Sequence, residues 1–255
     1  MIFTDTHTHL NNDAFTEDRT EMIQRAIDAG VSRLFIPSVD SETTHELYTL
    51  KNEFPENIHL MIGLHPTHVK ENYKKELAHV ENELANNKFV AIGEIGMDLY
   101  WDSTYVEAQK DAFSLQIELA KKNKLPINIH CREAFKETFN VLEKHQNSDL
   151  HGIFHCFTGT YEHALQAIDC GMKLGIGGVS TFKNGKIDQF LSKIDLKHIV
   201  LETDAPYLAP MPFRGKRNES AYIVNIAQKL ASIYNVSVEE IAKITTQNSV
   251  DIYGV

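Results

Sequence analysis

The sequence has no apolar run close to the roughly 20 residues needed to cross a bilayer, and it opens without the basic-then-apolar pattern of an export signal. Neither a membrane span nor secretion is expected. Cysteine is scarce: Cys131, Cys156 and Cys170 are an odd number, and their spacing matches neither a disulfide framework nor a zinc ribbon. A reducing cytoplasm is the expected setting. Basic charge is also short, with 25 Lys and Arg against 35 Asp and Glu, for a formal net charge of −10. That balance argues against a broad surface for gripping duplex DNA, whose non-specific affinity comes from phosphate neutralisation. A phosphate substrate stays open, because divalent cations in a cleft reverse the local sign. No Gly-x-Gly-x-x-Gly follows the first apolar segment, where a dinucleotide-binding fold would carry it.

What is present is a recurring pattern. Eight short apolar segments read as strands: Ile2 to Thr6, Arg33 to Pro37, His59 to Leu64, Phe89 to Glu94, Pro126 to His130, Gly152 to His155, Met172 to Ile176 and His198 to Thr203. Helix signatures lie between them. Thr104-x-x-Glu107 predicts a capping box leading into Ala108, Ala112, Leu115 and Leu119. Gly30 stands where a helix bearing Met22, Ile23, Ala26 and Ile27 should stop. Ser237-x-x-Glu240, with Val236 and Ile241 as a hydrophobic staple, starts another. Strands alternating with helices predict parallel pairing through right-handed crossovers. Eight such units in 255 residues predict an α/β fold, a (β/α)8 barrel of the TIM type, as a single domain over residues 1–255; an open doubly wound sheet is the alternative.

The polar residues gather at the C-terminal ends of these segments, where a barrel holds its active site. His7 and His9 are two apart after the first strand and share a face. Converging imidazoles make half of a site for zinc, manganese or a related divalent ion. His65, Glu94, His130, His155 and Asp204 follow at five later strand ends. Glu94 lies in the apolar stretch Ile92-Gly93-Glu94-Ile95, where a carboxylate is costly to bury unless it is paired or bound to a metal. The structural alternative is an ion pair with Arg132. Glu202 shares strand parity with Asp204, so it reads either as a partner orienting a ligand histidine or as a structural salt bridge. Cys131 and Cys156, of opposite parity to their neighbours, read as packing groups.

At this point the sequence resembles the TatD-like metal-dependent deoxyribonucleases, a branch of the amidohydrolase superfamily built on a distorted (β/α)8 barrel. The resemblance rests on Asp5-Thr6-His7-Thr8-His9-Leu10, Gly63-Leu64-His65-Pro66, Gly93-Glu94-Ile95-Gly96-Met97-Asp98, His130-Cys131-Arg132, His155-Cys156-Phe157-Thr158-Gly159, Glu202-Thr203-Asp204-Ala205-Pro206-Tyr207-Leu208 and Arg214-Gly215-Lys216-Arg217-Asn218-Glu219, in that order along nearly the whole chain. Thr8, Met97, Leu99, Ala205 and Ser220 depart from the residues common in relatives, and none of these departures removes a ligand.

The resemblance implies a two-metal site, with Glu94 bridging, His7, His9 and Asp204 on one ion, and His130 and His155 on the other. The residue types admit zinc, manganese or magnesium. The expected activity is hydrolysis of DNA phosphodiesters by metal-activated water, with Asp204 able both to ligate and to accept a proton. The resemblance further implies 3′-exonuclease behaviour on single strands or 3′ ends. Arg132 and Arg214, with Lys216 and Arg217, are placed to meet phosphates. His65 is placed to contact a phosphate or to support a ligand, and Tyr100 with Trp101 to stack a base or pack over the rim. Hydrolysis of an ester, as by a deacylase acting on aminoacyl-tRNA, is the enzymatic alternative. A metal-stabilised binding module is the non-enzymatic one. The sequence specifies no oligomeric state.

Overall fold

The computed structural model describes residues 1–147 and 149–255. Its strands are β1 (Phe3–Asp5), β2 (Val31–Pro37), β3 (Ile58–Ile62), β4 (Ala91–Asp98), β5 (Ile127–Arg132), β6 (Gly152–Phe154), β7 (Met172–Ile176) and β8 (Ile199–Leu201). The helices are α1 (Arg19–Asp28), α2 (Thr44–Glu53), α3 (Tyr73–Asn86), α4 (Val106–Asn123), α5 (Phe135–His145), α6 (Tyr161–Asp169), α7 (Ile223–Tyr234) and α8 (Val238–Tyr253). The eight strands pair in chain order, each parallel to the next. Between β8 and β1 no ladder forms, but the Thr6 amide donates to the Leu201 carbonyl at 3.0 Å and the Asp204 amide to the His7 carbonyl at 3.0 Å. The result is a nearly closed (β/α)8 barrel.

Alternation along each strand sorts the side chains into two layers. Leu34, Ile36, Ile58, Leu60, Ile62, Ile127 and Ile129 face outward into the core shared with the helices. Phe35, Met61, Ala91, Ile153 and Val200 face inward, where Ile252 and Tyr253 of α8 join them. The lumen is therefore a packed floor, closed by one helix, beneath the strand ends that carry the polar residues.

Three expectations are corrected. The connection from β7 to β8 has no α-helix; four short 3-10 segments cross between 178 and 198. The α4 capping box does not form either. The helix begins after Tyr105 without a side-chain cap, and the Thr104 amide goes to Asp102 instead. Nor is the buried face of α4 the expected apolar one, since Leu115 is 45% exposed while Gln109 and Gln116 are buried beside Ala112, Phe113, Ile117 and Ala120. The reason lies in backbone groups at the ends of β3 and β4. The Gln116 side chain accepts from the Leu64 amide at 2.7 Å and donates to its carbonyl, and Gln109 does the same for Asp98. A buried peptide group needs a partner, and here two glutamine amides supply it. The stop at Gly30 and the start at Ser237, whose hydroxyl accepts from the Glu240 amide, form as expected.

Replacing Gln116 by Leu keeps the volume and removes both bonds to Leu64. Stability should fall by about 2–4 kcal/mol, since an orphaned buried peptide group costs roughly 1–3 kcal/mol. Urea titration should show a lower midpoint at unchanged slope; an unmoved midpoint would show that water replaces the amide there.

Candidate metal centre

Glu94 is the centre of the polar cluster, 1% exposed. Simple alternation from outward-facing Ile92 would turn it outward as well. The register prevents this: Ile92 pairs with Ile127 and Ile95 with Ile129, so β4 carries one residue more than β5 across this interval. That bulge reverses the parity and turns the Glu94 carboxylate into the barrel.

The two oxygens of Glu94 divide the imidazoles. Oε1 lies 2.8 Å from His130 Nδ1, 3.1 Å from His155 Nε2 and 3.2 Å from His65 Nε2. Oε2 lies 3.2 Å from His7 Nε2 and 3.5 Å from His9 Nε2, yet it is buried and accepts no hydrogen bond. Asp204 Oδ1 stands 3.5 Å from His9 Nε2 and 3.8 Å from His7 Nε2. A buried carboxylate oxygen without a hydrogen bond, faced by imidazole nitrogens, is a donor set suited to a divalent cation.

The far nitrogens show which rings can ligate. His7 Nδ1 meets Asn128 Oδ1 at 2.8 Å, His155 Nδ1 meets Glu202 Oε1 at 3.2 Å, and His130 Nε2 meets Asp98 Oδ2 at 2.8 Å. An acceptor behind each ring holds the proton there and leaves the near nitrogen for a metal. His65 is the reverse. Its Nδ1 accepts from the Thr67 amide at 3.1 Å, and burial lowers its pKa to about 4, so the neutral ring carries its proton on Nε2. Proximity groups His65 with Glu94 and His130, but its Nε2 is a donor facing the site and not a lone pair.

Two other sets of donor atoms come together, His7 with His9 and Glu94, and His7 with His155 and Asp204. His155 is therefore near both ends of the cluster: its ring stacks on His7 at 3.7 Å as well as reaching Glu94. Glu202 is fully buried, with Oε1 taking the Cys156 amide at 2.6 Å as well as His155. Gly175 makes room for it, because a Cβ there would sit 2.1 Å from Glu202 Oε2. The ion pair between Glu94 and Arg132 does not form; Arg132 is exposed on the rim. Its guanidinium lies 3.9 Å over the Tyr100 ring and 5.2 Å from that of Trp101.

Above the cluster opens a cleft of about 1210 Å³ whose walls include His65, His68, Trp101, Arg132, Tyr207 and Leu208. The Arg214 loop is not part of it. Arg214 lies over Phe182 at 4.3 Å and donates to Asn184, while Arg217 is held by Asp18 at 2.6 and 2.7 Å. Cys131 and Cys156 adjoin the cleft and are half-buried; the Cys131 thiol turns to the helix layer, where it packs against the outer core and accepts from the Thr138 hydroxyl at 3.4 Å. Burial pushes the Cys131 thiol up to about 12 and the Cys156 thiol well above 9.0, so neither is a thiolate. Sequence reasoning missed Asp98 and Asn128 as the partners of His130 and His7. Their inward parity with Glu94 and His130 was the available signal.

A family model described as TatD related DNase matches residues 4–254. The chain belongs to that family. A Bacillus subtilis protein described as the uncharacterized metal-dependent hydrolase YabD is 37% identical over the whole of both chains. A Haemophilus influenzae protein, also described as an uncharacterized metal-dependent hydrolase, is 34% identical over the whole of both. The crystal structure of YjjV, a TatD homologue from Escherichia coli, superposes with a TM-score of 0.93 at 28% identity, covering 99% of this chain and 98% of that one. This TatD-family chain is thus a metal-dependent hydrolase with an amidohydrolase-like barrel.

In this TatD-family site, burial disfavours charge on His155, but Glu94 and Glu202 outweigh it and hold its pKa well above 6.5. The raised value means that protonated His155 stabilises the metal-free fold below pH 6.5, a contribution lost as pH rises through the folded pKa. A cation using His155 Nε2 has to displace a proton, so affinity should rise with pH through neutrality. Calorimetry of zinc binding at pH 7 in buffers of different ionisation enthalpy should show net release of roughly one proton or more per chain, reduced in His155→Gln. Heats independent of the buffer would remove His155 from the ligand set.

Proposed function

We propose that this chain hydrolyses phosphodiester bonds of DNA, shortening single strands or unpaired ends from the 3′ side, with two divalent cations held on either side of Glu94. In this reading His7, His9 and Asp204 hold one ion and His130 and His155 the other. Bound there, divalent cations would acidify a water and take up the negative charge that develops on the phosphate.

The observation that carries the reading is the character of the cleft. Among the described residues that line it, Arg132 is the one guanidinium or ammonium. It makes no ion pair with a described residue while its face lies on Tyr100, so its N–H edges are left for a phosphate. Trp101 is 67% exposed beside it and offers a ring for a base. One cation and one aromatic shelf suit a terminal nucleotide better than a duplex, which is gripped through many phosphates. A volume near 1210 Å³ also fits a nucleotide with its neighbour. His65 Nε2–H, aimed into the site, would donate to a phosphate oxygen. Asp204, its carboxyl held below the usual 3.8 range by His9, His155 and His7 against the opposing effect of burial, is ionised and able to receive the proton of the attacking water.

The test uses 5′-labelled single-stranded DNA and metal-stripped protein reloaded with magnesium, manganese or zinc. Stepwise shortening should appear, falling more than about a hundredfold in Glu94→Gln, while Arg132→Ala should raise KM by about tenfold through one lost charged hydrogen bond. Circular single strands cut as fast as linear ones would exclude the exonuclease reading. Silence on DNA with every metal, together with cleavage of aminoacyl esters, would reassign the site to deacylation.

A further inference from the structure

Beneath the imidazoles, Asn128 occupies an inward position on β5 two residues before His130, and it is fully buried. Space for it comes from Gly93 on the facing bulge, where a Cβ would lie 2.7 Å from the Asn128 Cβ. Its two amide ends have different partners. Oδ1 is 2.8 Å from His7 Nδ1, and Nδ2 donates to the Tyr253 hydroxyl at 3.3 Å. Tyr253 is the last residue of α8, 7% exposed, and its ring stacks on Phe35 at 4.1 Å within the floor of the lumen. Its own hydroxyl has two acceptors in reach other than Asn128, the Thr6 carbonyl at 3.5 Å and Met61 Sδ at 3.8 Å.

We propose that Asn128 and Tyr253 form a positioning relay that fixes His7 as the Nδ1–H tautomer and so presents Nε2 as a lone pair to a divalent cation. An amide has one accepting and one donating end. With the phenol oxygen receiving Nδ2–H, the carbonyl end faces the imidazole, and only a protonated Nδ1 satisfies it. A flipped amide would donate to Nδ1, place the ring proton on Nε2 against Glu94, and take His7 out of the ligand set. The phenol therefore selects the amide orientation, the amide selects the tautomer, and the docking of α8 is linked to cation affinity. The relay rests on His7 being a ligand, as proposed above, and its test separates the two.

In the metal-free protein, 15N chemical shifts of the histidine rings, with His7 assigned by the loss of its signals in His7→Gln, report the tautomer directly. The proton should be on Nδ1; a proton on Nε2 overturns the relay without any variant having to fold. Zinc affinity by chelator competition adds the energetic side. Asn128→Leu should weaken it by about 10- to 100-fold, the usual cost of losing a partner behind a ligand. Tyr253→Phe should cost less than tenfold, and Asn128→Asp, which accepts from both His7 and Tyr253, should restore most of the affinity. Unchanged affinity in Asn128→Leu, or an Asp variant as weak as the Leu one, would leave Asn128 a space-filler. If His7→Gln itself binds zinc as tightly as the parent, the ligand assignment is what fails.

Discussion

A carboxylate buried among imidazoles is the constraint on which this molecule depends. Glu94 sits at 1% exposure in the middle of a strand, where an isolated charge would cost many kcal/mol. Burial pushes its carboxyl up, but His65, His7 and His155 outweigh that effect and hold it well below 4.5. The charge is kept because its neighbours answer it, and they come from β5 and from the segments that follow β1, β3 and β6. Each ring must in turn present the right nitrogen. Asn128, Asp98, Glu202 and the Thr67 amide perform that task from behind. Gly93 and Gly175 leave the space that two of those partners fill. Removing any layer changes what the one above it can do.

The same dependence explains where the barrel is irregular. The bulge in β4 exists where Glu94 must turn inward. The backbone at Leu64, past the end of β3, and at Asp98, the last residue of β4, is received by glutamines of α4 and not by apolar packing. The long segment after β8 is anchored before it reaches solvent. Asn218 donates to the Thr203 and Tyr207 carbonyls, Arg217 pairs with Asp18, and Arg25 bridges Asp18 and Glu219. That network accounts for Arg217, Asn218 and Glu219 structurally. It leaves Arg132 as the cation on the cleft rim without an ion-pair partner among the described residues, its face occupied by aromatic rings.

The sequence by itself determined the barrel and the donor set. Alternating apolar segments with helices between them allow few topologies, and histidines and carboxylates at the ends of those segments have one mouth of a barrel to share. Thus His7, His9, Glu94, His130, His155 and Asp204 were legible as a group from their positions alone. Glu202 was legible as an inward residue able to orient a ligand histidine, though not that this histidine is His155. What only the tertiary structure decided was orientation. Strand parity cannot anticipate a bulge, so the inward turn of Glu94 follows from β4 register against β5. Nor can a sequence say which nitrogen of an imidazole is free, because that is fixed by an acceptor distant in the chain: Asn128 lies 121 residues from His7, and Tyr253 lies 125 from Asn128. Arg132 and Arg214 both read as cations placed to meet phosphates, Arg132 the more so for its shared parity with His130. It was packing, against Phe182 in one case and over Tyr100 in the other, that took Arg214 away from the cleft and left Arg132 on its rim. Local pattern specifies which groups reach the mouth of the barrel; their directions depend on contacts between residues that the chain keeps far apart.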